Sequence, residues 1–218
     1  MTGFDITPMT REIAFEGRLL RLCNQKSADW THPYEYEHNG SDLHDAGCGV
    51  FALTHVIEWM TGARLCPDEV AEESVRVGGR GDDGTDRPAM LAGMMRSGFA
   101  ARCGFRYDGE GLLNDHEKLW AHMLSGGTAL CNLRVGHIVA LLKARTVGGR
   151  RELLVIDSVA ESWSDKFRDR VREVVPGSEV TWIRRNEAGL GVGAFTTYAM
   201  FWVDADLPAD FTLIGPAR

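Results

Sequence analysis

At Gly127 the hydrophobic pattern of the chain changes period, and this change most narrows what the chain can become. Before it, apolar residues recur at helical spacing: Val50, Leu53, Ile57 and Met60 stand three, four and three residues apart, and Gly62 supplies a stop. After it, "TALCNLRVGHIVALLKA" and "RELLVIDSVA" read as strands, rich in β-branched and apolar residues, with "RTVGGR" as the turn between them. Helices that come first and an antiparallel sheet that follows are the pattern of an α+β fold.

Several further elements follow from the same reading. The helix from Cys48 reads as amphipathic. "CPDEVAEESVRVGG" predicts a second helix after Pro67, with Asp68 and Glu69 in its first turn, and "RPAMLAGMMRSGF" and "NDHEKLWAHMLSGG" predict a third and a fourth. "GRGDDGTD" reads as a loop, residues 1–45 as mostly irregular and residues 164–174 as a charged helix, while "EVTWIRR" and "GAFTTYAMFWV" supply more strands. No linker or internal repeat divides the 218 residues, so one domain spanning 1–218 is expected.

The charge balance sets the function classes aside in turn. With 24 Lys and Arg against 31 Asp and Glu, the net charge of −7 argues against nucleic acid or an anionic membrane as the main partner. No apolar run approaches the ~18 residues a membrane helix needs. The opening "MTGFDITPMTREIAFEGRLLRL" lacks the basic start and apolar run of a secretory signal, so a cytoplasmic location is expected. Five cysteines at scattered spacings point away from a disulfide framework. No C-x-x-C or H-x-x-x-H spacing supports a metal site, and no cofactor motif is present. Cys66, Cys103 and Cys131 are expected in the core. The sequence carries no signal for an oligomeric state.

The chemistry concentrates at Cys48, which lies between Gly47 and Gly49 where a helix begins. A helix N-terminus favours a thiolate. His55 lies seven residues on, roughly 10 Å up the axis, too far to serve as the base. His137 interrupts the apolar strand "VGHIVALL", and Asp157 is as much out of place in "LLVIDSV". With Val147 at the centre of the turn, His137 falls directly opposite Asp157, whereas a one-residue slip would set Ser158 there. The two read as a pair: an imidazole that takes the thiol proton, and a carboxylate that orients the ring.

The succession "NQKSADW", "DAGCGVFALTHVI", "GHIVALLKA" and "LLVIDS" resembles the papain-like cysteine peptidases related to the bacteriocin-leader-processing enzymes. The resemblance spans roughly residues 23–160. It implies a papain-like fold, with the nucleophile at a helix start packed against an antiparallel sheet. It also implies Cys48 as nucleophile, His137 as base and Asp157 as orienter, and makes Gln25, matching the family's upstream glutamine, the oxyanion side chain. Gly47, Gly84, Thr85 and Gly136 are expected to shape the substrate site. Asp157 is followed by Ser158, where relatives usually carry Pro. The expected activity is hydrolysis of a peptide or amide bond. Acyl transfer on the same triad and a non-catalytic peptide-binding module are the alternatives.

Overall fold

The structure, a computed structural model, describes residues 10–27, 30, 32–38, 40–111, 115–134, 136–159, 167, 169–185, 191–198 and 200–217. It is mixed α+β. The centre is a seven-stranded, wholly antiparallel sheet built from β5 (Phe105–Gly111), β6 (Thr128–Leu133), β7 (His137–Val147), β8 (Arg150–Ile156), β9 (Val171–Val174), β12 (Met200–Asp204) and β13 (Ala209–Pro216). Their spatial order is β5-β13-β6-β7-β8-β12-β9, which puts β7 and its partner β8 in the middle. Side chains alternate between two cores. Ile138, Ala140, Leu142, Leu154 and Ile156 enter one, and Val139, Leu141, Leu153 and Val155 enter the other. Burial on both faces explains why these strands read as apolar runs and not as alternations.

Helix α2 (Cys48–Thr61) lies on the first face, across β6 and β7. Every residue from Gly49 to Glu58 is buried, so the helix is not amphipathic as the spacing predicts. A helix enclosed on all sides needs apolar residues all round. Here the enclosure is completed by α3 (Pro67–Arg76) and by β2 (Arg18–Cys23). Val50, Phe51, Leu53, Val56 and Ile57 have no exposed surface. Full burial of such a side chain stabilises by about 1.5–3 kcal/mol, so the helix that carries Cys48 is firmly seated. Gly62 ends it in the left-handed region (φ 71°), donating its N–H to Glu58 O.

Elsewhere the structure departs from the sequence reading. Within residues 1–45, expected to be irregular, β1 (Thr10–Phe15) pairs with β2 around a tight Glu16–Gly17 turn, and α1 (Leu43–Ala46) precedes Cys48. The turn hides this hairpin because Glu16 takes a positive φ (48°), which a glutamate rarely adopts. The "GRGDDGTD" loop holds a two-residue ladder, β3 (Arg80–Gly81) with β4 (Gly84–Thr85). "TALCNLRVGHIVALLKA" is two strands, because Gly136 (φ 75°) turns the chain back between β6 and β7. Val171–Val174 is an edge strand on β12, not the end of a helix, and residues 161–166 and 168 lie outside the described residues.

The third predicted helix is α4 (Arg87–Ser97), which Gly98 separates from the short α5 (Phe99–Cys103); the fourth is α6 (His116–Leu124). Strands β10 (Glu179–Arg185) and β11 (Gly191–Tyr198) form a hairpin of their own, so "GAFTTYAMFWV" divides between β11 and β12. Strands β5 and β13 have no counterpart in the sequence reading. No helix among the described residues is long and apolar enough to cross a membrane.

Candidate active site

The Gly-Cys-Gly motif is explained by packing at both glycines. Helix α1 runs into α2 through Gly47, whose N–H donates to Leu43 O and whose carbonyl accepts from Phe51 N, each at 3.0 Å. A Cβ at Gly47 would lie 2.5 Å from Leu43 O, and one at Gly49 would lie 2.5 Å from the Thr85 Cβ. Cys48 between them stays partly exposed while both neighbours are buried. Its position at the first turn places the helix's unpaired N–H groups beside the sulfur.

The histidine arrives from the central hairpin. His137 opens β7, directly after the Gly136 turn, and is 8% exposed; Asp157 follows the last residue of β8 and is 1% exposed. His137 Nε2 donates to Asp157 Oδ1 at 2.7 Å. The same carboxylate oxygen accepts the N–H of Val159 at 2.9 Å, which fixes its direction. The pair is the one expected, but the register is not. The turn is Gly148–Gly149, with Val147 opposite Arg150, and an irregularity at Leu142 then shifts the pairing to Ala140 opposite Ile156. Carried one residue further, this register sets Asp157 level with Val139, so the carboxylate reaches His137 diagonally. Inside the sheet, His137 faces Leu133 of β6.

With Nε2 committed to Asp157, the ring's other nitrogen, Nδ1, is left for the sulfur. Burial works to raise the Cys48 thiol. The hydrogen bond and charge of His137 oppose it, joined by the N–H groups of Ile138 and Gly49, and together they hold the thiol below its ordinary value. The contrast with other thiols is sharp. Burial pushes Cys23 up to about 12 and raises Cys103 and Cys131 as well. Cys66 is exposed at the start of α3 and Cys103 only partly buried, so of the three cysteines expected in the core only Cys131 lies there.

Gln25 is 2% exposed and oriented at both ends of its amide. Nε2 donates to His44 O at 3.2 Å, four residues before Cys48, and Oε1 accepts from Ser158 Oγ at 3.3 Å, one residue after Asp157. Its backbone N–H also donates to Ser158 O at 2.8 Å. Trp30, the other upstream member of the motif, donates Nε1 to Asn24 O at 2.6 Å and sets its ring edge-on to Phe51 of α2.

Gly84 and Thr85 do come beside Cys48 and its helix start. A Cβ at Gly84 (φ 119°) would stand 3.7 Å from Ala46 O, and Thr85 covers Gly49. A brace holds them there. Thr85 Oγ1 is 2.9 Å from the hydroxyl of Tyr34, which has no exposed surface and also meets Ser74 Oγ at 3.0 Å. The buried Arg80 donates to the carbonyls of Tyr34 and Gly84 and stacks over the Tyr34 ring. Gly136 is exposed and serves the turn that delivers His137.

Sequence reasoning missed Tyr34, Arg80 and Ser158, and nothing in their local spacing marks them. Asp42, His44 and Asp45 bring their ligand atoms within 4.8 Å of one another at the outer edge of α1. There Asp42 caps the helix and Asp45 meets His44 Nδ1 at 3.1 Å.

No protein-family model, curated protein or solved structure matches the chain.

Proposed function

We propose that this chain is a papain-like cysteine hydrolase that cleaves a peptide or amide bond through an acyl-enzyme on Cys48. One observation supports this above the others: a thiol held below its ordinary value at the end of a Cys48–His137–Asp157 relay. His137 Nδ1 takes the thiol proton, and Asp157 stabilises the imidazolium and fixes its tautomer. The thiolate attacks the carbonyl carbon, forming the S–C bond while the carbonyl π pair moves to oxygen. The oxyanion is met by the backbone N–H of Cys48 and by the Gln25 amide, one of whose two N–H bonds is already spent on His44 O. Collapse breaks the C–N bond as His137 returns its proton to the leaving amine. Water, deprotonated by the same ring, then breaks the S–C bond and releases the acid. Thr85 and Gly84 form a wall of the cleft beside the sulfur.

The test is the rate of iodoacetamide alkylation at Cys48 against pH, read by site-resolved mass spectrometry in the wild type and His137→Ala. The expected inflection lies below the ~8.5 of a free thiol and moves up in the variant. An inflection at the ordinary value, or one indifferent to His137, overturns the proposal. A thioester on Cys48, trapped by mass spectrometry during turnover of a peptide amide, completes it.

A further inference from the structure

His55 stands two turns along α2 from Cys48, 2% exposed among Val50, Phe51, Leu53, Val56 and Ile57. Its Nε2 accepts the backbone N–H of Cys23 at 3.0 Å. A ring nitrogen that accepts carries no proton, so the proton of the neutral ring sits on Nδ1. That atom is buried and has no hydrogen-bond partner among the described residues. Burial, then the charge of Arg21, outweigh the opposing charge of Asp157 and push the imidazole down to about 3. The ring is therefore neutral, with its acceptor lone pair available, throughout the range in which a thiolate–imidazolium pair operates.

For packing alone this is a poor residue. A leucine or methionine would fill the place without an orphaned N–H. What the imidazole adds is a fixed acceptor for one backbone group, and the identity of that group is informative. Cys23 is the last residue of β2, and Gln25 follows two residues later. Three consecutive residues are thus pinned. Cys23 N–H goes to His55, Asn24 O accepts from Trp30, which packs on Phe51, and Gln25 N–H goes to Ser158 O. Two of these three ties lead to the helix that carries Cys48.

We infer that His55 is a positioning residue for Gln25: by holding the Cys23 N–H it makes the nucleophile and the oxyanion amide parts of one rigid unit. The inference rests on the hydrolase reading above. It reaches further, because it assigns work to a side chain that touches neither substrate nor triad.

The chain offers a clean probe, since Gln25 is its only glutamine. Glutamine labelled with 15N in the side chain gives a single NH2 pair in the NMR spectrum of the full chain. In His55→Leu this pair is expected to shift, with the splitting between its two protons moving toward that of a solvent-exposed glutamine. The alkylation inflection of Cys48 is expected to stay where it is. On an amide substrate kcat falls about tenfold with KM within twofold, His55→Gln restores most of it, and His55→Leu adds nothing in a Gln25→Ala background. An unchanged NH2 pair, or losses that multiply in the double variant, overturns the inference. Should His55→Leu not fold, His55→Phe keeps the ring and removes the acceptor. A wild type that turns over nothing refutes the hydrolase reading, and the NH2 pair then decides the placement of Gln25 by itself.

Discussion

Two buried histidines serve helix α2, one beside its N-terminus and one within its buried stretch, and they are set up in opposite ways. His137 lies beside the N-terminus, where a carboxylate takes one nitrogen and a thiol the other. His55 lies two turns on, where a single backbone N–H takes Nε2 and no described residue hydrogen-bonds Nδ1. Residue type and burial are nearly the same. The difference is the partner, and it decides whether an imidazole exchanges protons or serves as a fixed acceptor. Burial alone drives a histidine toward neutrality, and a neighbouring carboxylate is what makes the charged form usable.

The contrast can be broken most severely at the thiol end. Cys48→Ser should abolish turnover, and His137→Ala should lower kcat/KM by roughly 10³-fold or more while moving the alkylation inflection upward. Asp157→Asn comes next, with kcat down roughly 10²–10⁴-fold. In that variant the amide also leaves the buried ring without its charge partner, so the thiol inflection rises toward that of His137→Ala. If Asp157→Asn keeps wild-type turnover, Asp157 is only a strand-end residue and the comparison between the two histidines loses its basis.

The other end sharpens the comparison through pH and stability. The His55 imidazole titrates near 6.5 when unfolded and at about 3 when folded. As pH falls below about 6.5, the unfolded chain binds a proton that the folded chain refuses. Stability is therefore full above that pH and declines toward pH 3, by about 1.4 kcal/mol per pH unit from this group. Urea midpoints measured between pH 7 and pH 4 should show this slope in the wild type and a slope smaller by about one proton in His55→Gln. Equal slopes would mean that His55 is not held neutral.

The smallest effect is expected where Thr85 packs on the start of α2. Gly49→Ala drives a methyl to 2.5 Å from the Thr85 Cβ, and overpacking of this kind costs about 1–3 kcal/mol. Thr85→Ala should recover part of it in the double variant, by thermal denaturation. Failure of that rescue would place the clash elsewhere than β4.

Legibility followed the range of the interaction. Helix α2 and the strands β7 and β8 were readable because each is announced by its own residues at its own period. His137 and Asp157 stood out as polar exceptions in apolar strands. Their pairing was readable, yet the register was not: the turn falls at Gly148–Gly149 and not at Val147, and the irregularity at Leu142, which shifts the pairing again, leaves no mark in composition. The hairpin at β1 and β2 was hidden by a glutamate in a glycine conformation. The all-round burial of α2 was hidden as well, because Glu58 reads as a solvent-facing residue. In the fold it answers Arg21 and the N–H of Leu65.

By itself, the sequence determined an α+β chain with a cysteine at a helix start and a histidine–aspartate pair on a strand hairpin. These depend on contacts within one element or between neighbours in the chain. Tertiary structure alone decided that Gln25 lies between His44 and Ser158, that Tyr34 and Arg80 brace Thr85 over Gly49, and that His55 serves Cys23. Tyr34 reaches Thr85 across 51 residues, Gln25 reaches Ser158 across 133 and His55 reaches Cys23 across 32. Which groups meet across such a loop is set by how the layers pack, and local periodicity carries no record of it.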